Sequence, residues 1–128
     1  MVTHVTEGVK VTVETFYQPE YSRPNVNEYM FSYRITIENR SLHTVKLLKR
    51  HWYITDTATS NREVEGDGVV GKQPVLEPGA IHQYVSGCQL GSEIGRMRGT
   101  YTMQRVMDRK EFEVQIPPFE LITPGKMN

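Results

Sequence analysis

Tyr29-Met30-Phe31-Ser32-Tyr33-Arg34-Ile35-Thr36-Ile37-Glu38-Asn39 is apolar at every odd position up to Ile37 and polar or charged at nearly every even one. Side chains alternating in this way point to the two faces of an extended backbone, so the stretch reads as a strand with one face on a core. Working outward, Val9, Val11 and Val13 share a face opposite Lys10, Thr12 and Glu14. The segment from Thr44 to Asp56 begins with Val45 and Leu47 on one parity and ends with Leu48, Trp52 and Ile54 on the other. One extra residue must be absorbed there, which predicts a β-bulge within Leu47 to Arg50. Further strands are expected at Arg62 to Glu65, Ala80 to Ser86, Arg96 to Val106 and Glu111 to Ile116, giving about seven. Gln18-Pro19, Arg23-Pro24-Asn25, Glu77-Pro78-Gly79 and Asp108-Arg109 separate them with turn chemistry. No segment carries a helical stripe capped at both ends. The chain is therefore expected to be all-β, a sandwich of the immunoglobulin-like or fibronectin type III-like kind. Trp52 should lie between its sheets, and the Pro117-Pro118 pair should end the last strand, because proline cannot donate to a ladder.

The chain has 128 residues, one domain's worth, with a core expected over about residues 8–122 and termini, including Gly125 to Asn128, expected to fray. Fifteen basic and fifteen acidic residues cancel, so no broad field favours nucleic acid or an anionic membrane. The single cysteine, Cys88, cannot form an intramolecular disulfide, and this usage fits a reducing, cytoplasmic setting. The N-terminal residues lack the basic and apolar blocks of a signal peptide, and no run approaches the roughly 18 apolar residues of a spanning helix, so direct membrane insertion is not expected.

Gly66-Asp67-Gly68-Val69-Val70-Gly71 spells G-x-G-x-x-G. A dinucleotide fold needs a helix to follow this run, and Pro74, Pro78 and Gly79 forbid one. Two readings remain: a glycine-rich bend between strands, or a nest of backbone N–H groups at Gly66, Gly68 and Gly71, with Lys72 beside it, that holds pyrophosphate or another phosphate-containing small molecule. Lys49 and Arg50, with Lys46 and His51 nearby and with Arg96, Arg98 and Arg105 from another strand, form a candidate basic surface or simply a set of solvated strand positions. His4, His43, His51 and His82 lack metal-ligand spacing, although His51 or His82 could meet Asp56 or Glu65 across the fold. Cys88 reads as a buried inert thiol, Ser86-Gly87 lacks the G-x-S-x-G elbow, and no nucleophile, base and orienter stand together. No enzyme activity and no cofactor are expected.

Several spaced segments together resemble the ApaG family of small bacterial proteins over nearly the whole chain. They are Tyr29 to Asn39, Leu47 to Asp56, Val64 to Gly79, Tyr84 to Gly87, Gly95 to Met103, and Phe112 with Ile116-Pro117-Pro118-Phe119. Asp108-Arg109 departs from the glycine turn frequent there, and Leu90 to Ile94 departs from the usual threonine-proline approach to Gly95. The resemblance implies a fibronectin-type sandwich and an association with cobalt and magnesium efflux. It also implies an interaction role, since similar domains occur in larger eukaryotic F-box and polymerase-interacting proteins. Strand addition at a sandwich edge is a physical route to a protein partner or to a homodimer.

Overall fold

The computed structural model describes residues 1–57 and 61–126. Its strands are β1 (Val2–Thr6), β2 (Val9–Tyr17), β3 (Tyr29–Asn39), β4 (Val45–Asp56), β5 (Arg62–Asp67), β6 (Val75–Leu76), β7 (Ile81–Leu90), β8 (Ile94–Arg105) and β9 (Lys110–Ile122). They form two antiparallel sheets, β1-β2-β3-β7 and β5-β4-β8-β9, with β6 added to β4. Three short 3₁₀ turns, Pro19–Tyr21, Pro24–Val26 and Pro124–Lys126, each begin at a proline whose preset φ suits the first position. The expected fraying of Gly125 to Asn128 falls in part on Met127 and Asn128, outside the described residues.

The sandwich follows from the alternation. Val9, Val11, Val13, Phe31, Tyr33, Ile35 and Ile37 bury one face of the first sheet; Leu47, Trp52, Met97, Tyr101, Val114 and Ile116 bury the facing side of the second. Trp52 is 3% exposed. Its ring meets Tyr33 edge-on at 5.5 Å and Phe119 at 5.8 Å, so one side chain ties β4 to both β3 and β9. Gly99, opposite it on β8, has no room for a side chain: a Cβ there would stand 2.3 Å from the His51 carbonyl oxygen and 3.1 Å from the indole. The predicted bulge in β4 is present, since Leu47 pairs with Met103 and Lys49 with Thr102, leaving Leu48 as the extra residue.

Three features differ from the sequence reading, which expected about seven strands. The two-residue strand β6, paired as Val45↔Leu76 and Lys46↔Val75, was not among them. The hairpin β1–β2 adds a strand ahead of the first one expected, paired from Val2↔Val13 to Thr6↔Val9. The Pro117-Pro118 pair does not end the last strand; β9 continues through it to Ile122. Met97 pairs with Phe119 and Gly99 with Ile116, so the two prolines together face Arg98 in a second bulge. Proline is tolerated there because β9 is an edge strand and a bulge interrupts the ladder. The slip carries the inward set from Val114 and Ile116 to Phe119 and Leu121.

The open borders of the two sheets meet in two ways. On one side β9 lies against β1 and β2, and the Gln115 N–H donates to Thr6 Oγ1 at 3.1 Å. On the other side β7 and β5 are both edge strands, and the link between them is a side chain: Arg62 Nη2 donates to the Gln89 carbonyl at 2.6 Å.

Candidate functional site

The glycine run lies on the side of β5 and β7. Val69 and Lys72 close a tight hairpin through Val69 N–H to Lys72 O at 2.8 Å and Lys72 N–H to Val69 O at 3.0 Å. Its two central residues, Val70 and Gly71, both have positive φ, 47° and 74°, as a primed turn requires. Gly68 (φ +61°) cannot carry a side chain, because a Cβ would sit 2.1 Å from the Lys72 carbonyl oxygen, and its N–H donates to Leu48 O at 2.8 Å. The N–H groups of Gly68, Val69 and Lys72 are thus committed to carbonyls of the protein. Lys72 stands near His82, whose imidazole pKa is lowered first by burial and then by this ammonium.

Arg50 explains Gly66. Past the bulge it shares the inward parity of Trp52 and Ile54, and its guanidinium lies flat against Gly66, where a Cβ would be 2.8–2.9 Å from its atoms. Arg50 Nη1 donates to the carbonyls of Asp67 and Gly68, each at 3.0 Å, which fixes the fork in place. Among the described residues Arg50 makes no ion pair, and its Nε and Nη2 make no hydrogen bond.

The four residues of the candidate basic surface therefore do not form one patch. Lys49 projects from the outer face of β4, and Arg96 and Arg98 from the outer face of β8, while Arg50 turns inward. Arg98 lies 4.2 Å above the Tyr53 ring, which in turn stacks on His51 at 4.4 Å. His51 Nε2 is 2.9 Å from Glu63 Oε2 and its Nδ1 2.9 Å from Glu65 Oε1. His51, Glu63 and Glu65 are, among the described residues, the group whose ligand atoms are close enough to converge on a metal ion. His51 and Glu65 meet as neighbours on the paired strands β4 and β5 rather than across the sandwich; Asp56 lies elsewhere, accepting from the Gly91 N–H and Ser92 Oγ, both at 2.6 Å.

Between the open edges of the two sheets lies a cleft of about 320 Å³. Its floor includes Tyr33, Trp52 and Tyr84, one wall is Ser86 to Cys88 of β7, and Arg50 lies under the opposite rim. Exposed Val64, Val70 and Val85 ring the mouth. The Tyr84 and Tyr101 hydroxyls bond to each other, and burial pushes both phenols far above the ordinary tyrosine range. Burial also raises Tyr33, an effect that the neighbouring Ser86 opposes. The Cys88 thiol is raised by burial too, although Arg62 Nη2 at 3.3 Å opposes the shift. At neutral pH the cleft thus presents neutral hydroxyls, a neutral thiol and one fixed positive charge.

The third element of the site is β7 itself. It pairs with β3 alone. The Asn39 N–H donates to Ala80 O, so even-numbered residues of this stretch turn their backbone groups toward β3. The Gln89 carbonyl, taken by Arg62 from outside the sheet, shows that odd-numbered residues turn theirs away. Ile81, Gln83, Val85 and Gly87 therefore direct N–H and C=O groups to the open edge. From Ile81 to Leu90 there is no Lys, Arg, Asp, Glu or Pro, and the outward side chains of Ile81 and Val85 are 61% and 57% exposed. The edge strand β5, by contrast, carries Arg62, Glu63, Glu65 and Asp67. Neither the inward turn of Arg50 nor the bare edge was singled out from sequence, although Arg50 shares parity with Trp52 and the uncharged run is visible as letters.

No helix among the described residues is long and apolar enough to cross a membrane. The model of the ApaG domain matches residues 19–105. Over 124 residues, covering 97% of this chain and 95% of the other, the sequence is 49% identical to protein ApaG of Brucella suis biovar 1 (strain 1330). It is 45% identical to protein ApaG of Anaeromyxobacter dehalogenans (strain 2CP-C) over the full length of both. A crystal structure named for the ApaA protein of Bordetella pertussis superposes with a TM-score of 0.87 at 43% identity, covering 91% of this chain and 94% of that one. By sequence and by fold, the chain belongs to the ApaG family.

Proposed function

We propose that the domain is a non-enzymatic binding module that takes an extended segment of a partner protein onto the free edge of β7. The observation that carries this reading is the edge itself: ten residues long, uncharged, without proline, and bearing exposed Ile81 and Val85. Soluble proteins blunt such edges with lysine, proline or bulges, because unpaired backbone groups template the addition of another strand. Main-chain hydrogen bonds would supply affinity and the adjoining cleft would select side chains. An influence on cobalt and magnesium efflux, of the kind the family resemblance implies, would run through that partner, in the cytoplasm.

The test is Gln83→Pro. The Gln83 N–H faces the open edge, so its removal leaves the main-chain bonds to β3 intact, with loss of the exposed Gln83 Nε2 bond to Thr36 Oγ1, while blocking one bond to an added strand. The variant should keep the wild-type circular dichroism and lose at least tenfold in affinity for peptides selected on the wild type from a random library. Unchanged affinity in a folded variant contradicts the proposal. Light scattering shows whether the added strand is instead a second copy of the chain, in which case wild type dimerises without peptide and Gln83→Pro does not.

A further inference from the structure

We infer that the cleft beside β7 is a receptor for the C-terminal carboxylate of the added strand, with Arg50 as its anchor; this rests on the strand-addition reading. Among the described residues lining the cleft, Arg50 is the one that carries a fixed positive charge. Its Nη1 is held by two backbone carbonyls, its flat face is seated on Gly66, and its remaining donors have no partner among the described residues. A guanidinium fixed in this way loses little side-chain entropy on meeting a carboxylate and can offer two parallel N–H groups to its two oxygens. Partial exclusion of water strengthens that pairing.

The surroundings define the rest of the ligand. Val85 to Cys88 border the cleft and also belong to the free edge, so a peptide bonded along β7 reaches the cleft without leaving its extended conformation. Trp52, Ile54, Val69 and Met97 form apolar walls for a last side chain, at the mouth ringed by Val64, Val70 and Val85. A free phosphate suits the space less well. It carries more charge than one arginine neutralises, and of the N–H groups in the glycine run those of Gly68, Val69 and Lys72 are already bonded within the protein. A peptide ending in an apolar residue with a free carboxylate matches both the single charge and the apolar walls.

The experiment is a selection from random nonapeptides displayed with free C termini, followed by synthesis of the enriched sequences as free acids and as C-terminal amides. The free acids should bind wild-type protein at least tenfold more tightly than the amides, and Arg50→Gln should reduce that ratio to near one while still binding the amides. Arg50→Lys, which keeps the charge and loses the fork, should retain part of the ratio. If Arg50→Gln does not fold, the ¹⁵Nε resonance of Arg50 in wild-type protein decides: it should shift with the free acid and not with the amide. Equal binding of acid and amide overturns the carboxylate assignment and leaves strand addition standing. Failure of any peptide to bind overturns both. Saturable binding of inorganic pyrophosphate at Arg50, without binding of any free-acid peptide, overturns the inference in favour of a phosphate site.

Discussion

At the scale of single residues, the fold depends on contacts that span the sheets. Trp52 touches Tyr33 of the facing sheet and Phe119 across its own, so Trp52→Ala removes packing on both sides of the core at once. The expected loss is about 3–5 kcal/mol, read as a lower urea midpoint with unchanged slope. Asp108 offers a charge test at the surface. Its carboxyl is held down at about 2 by hydrogen bonds from Arg105 and from the Lys110 N–H, against 3.8 ordinarily. A depressed folded value means that the contribution is complete above the unfolded value and disappears as pH falls from about 4 toward 2. The urea midpoint of the wild type should therefore fall over that window more steeply than that of Asp108→Asn; parallel curves would show that the Arg105 pair contributes nothing. The same scale decides what the glycine run is. Gly66 makes room for a guanidinium and Gly68 for a carbonyl, reasons that appear only when residues distant in sequence are brought together.

At the scale of elements, parity is the quantity that sequence reports well and proline obscures. The slip between Leu47 and Trp52 was legible as a bulge because apolar residues mark both sides of it, and the register confirms it. An equal slip from Val114 and Ile116 to Phe119 and Leu121 was present in the letters but was read as the end of a strand, because two prolines lay between. Proline does end a central strand; β9 is an edge, and only the topology says so. Inserting one alanine after Pro118 shifts the phase once more and turns Phe119 and Leu121 outward, and the variant should unfold or bind a hydrophobic dye. If it keeps wild-type stability, the bulge does not set the phase of the strand's end. The strand β1 escaped notice for a related reason. Residues Val2 to Thr6 carry only two apolar side chains, and their partner strand β2 supplies the pairing.

At the scale of the whole molecule, the alternation of apolar residues was enough to predict a sandwich, but it could not say which strands would lie at its borders. Strand order is a long-range property, and the candidate site depends on it: β7 and β5 become neighbouring edges, and Arg50, Tyr84 and Cys88 come to line one cleft between them. Zero net formal charge fits a surface whose recognition is local rather than steered by a broad field. Addition of a strand to the free edge of β7 would register in residue-resolved amide hydrogen exchange. With a selected peptide at saturation, the amides of Gln83, Val85 and Gly87 should gain at least tenfold protection, while those of His82, Tyr84 and Ser86, already bonded to β3, should change little. Protection that appears on the outer faces of β4 and β8 instead, with β7 unaltered, would contradict it.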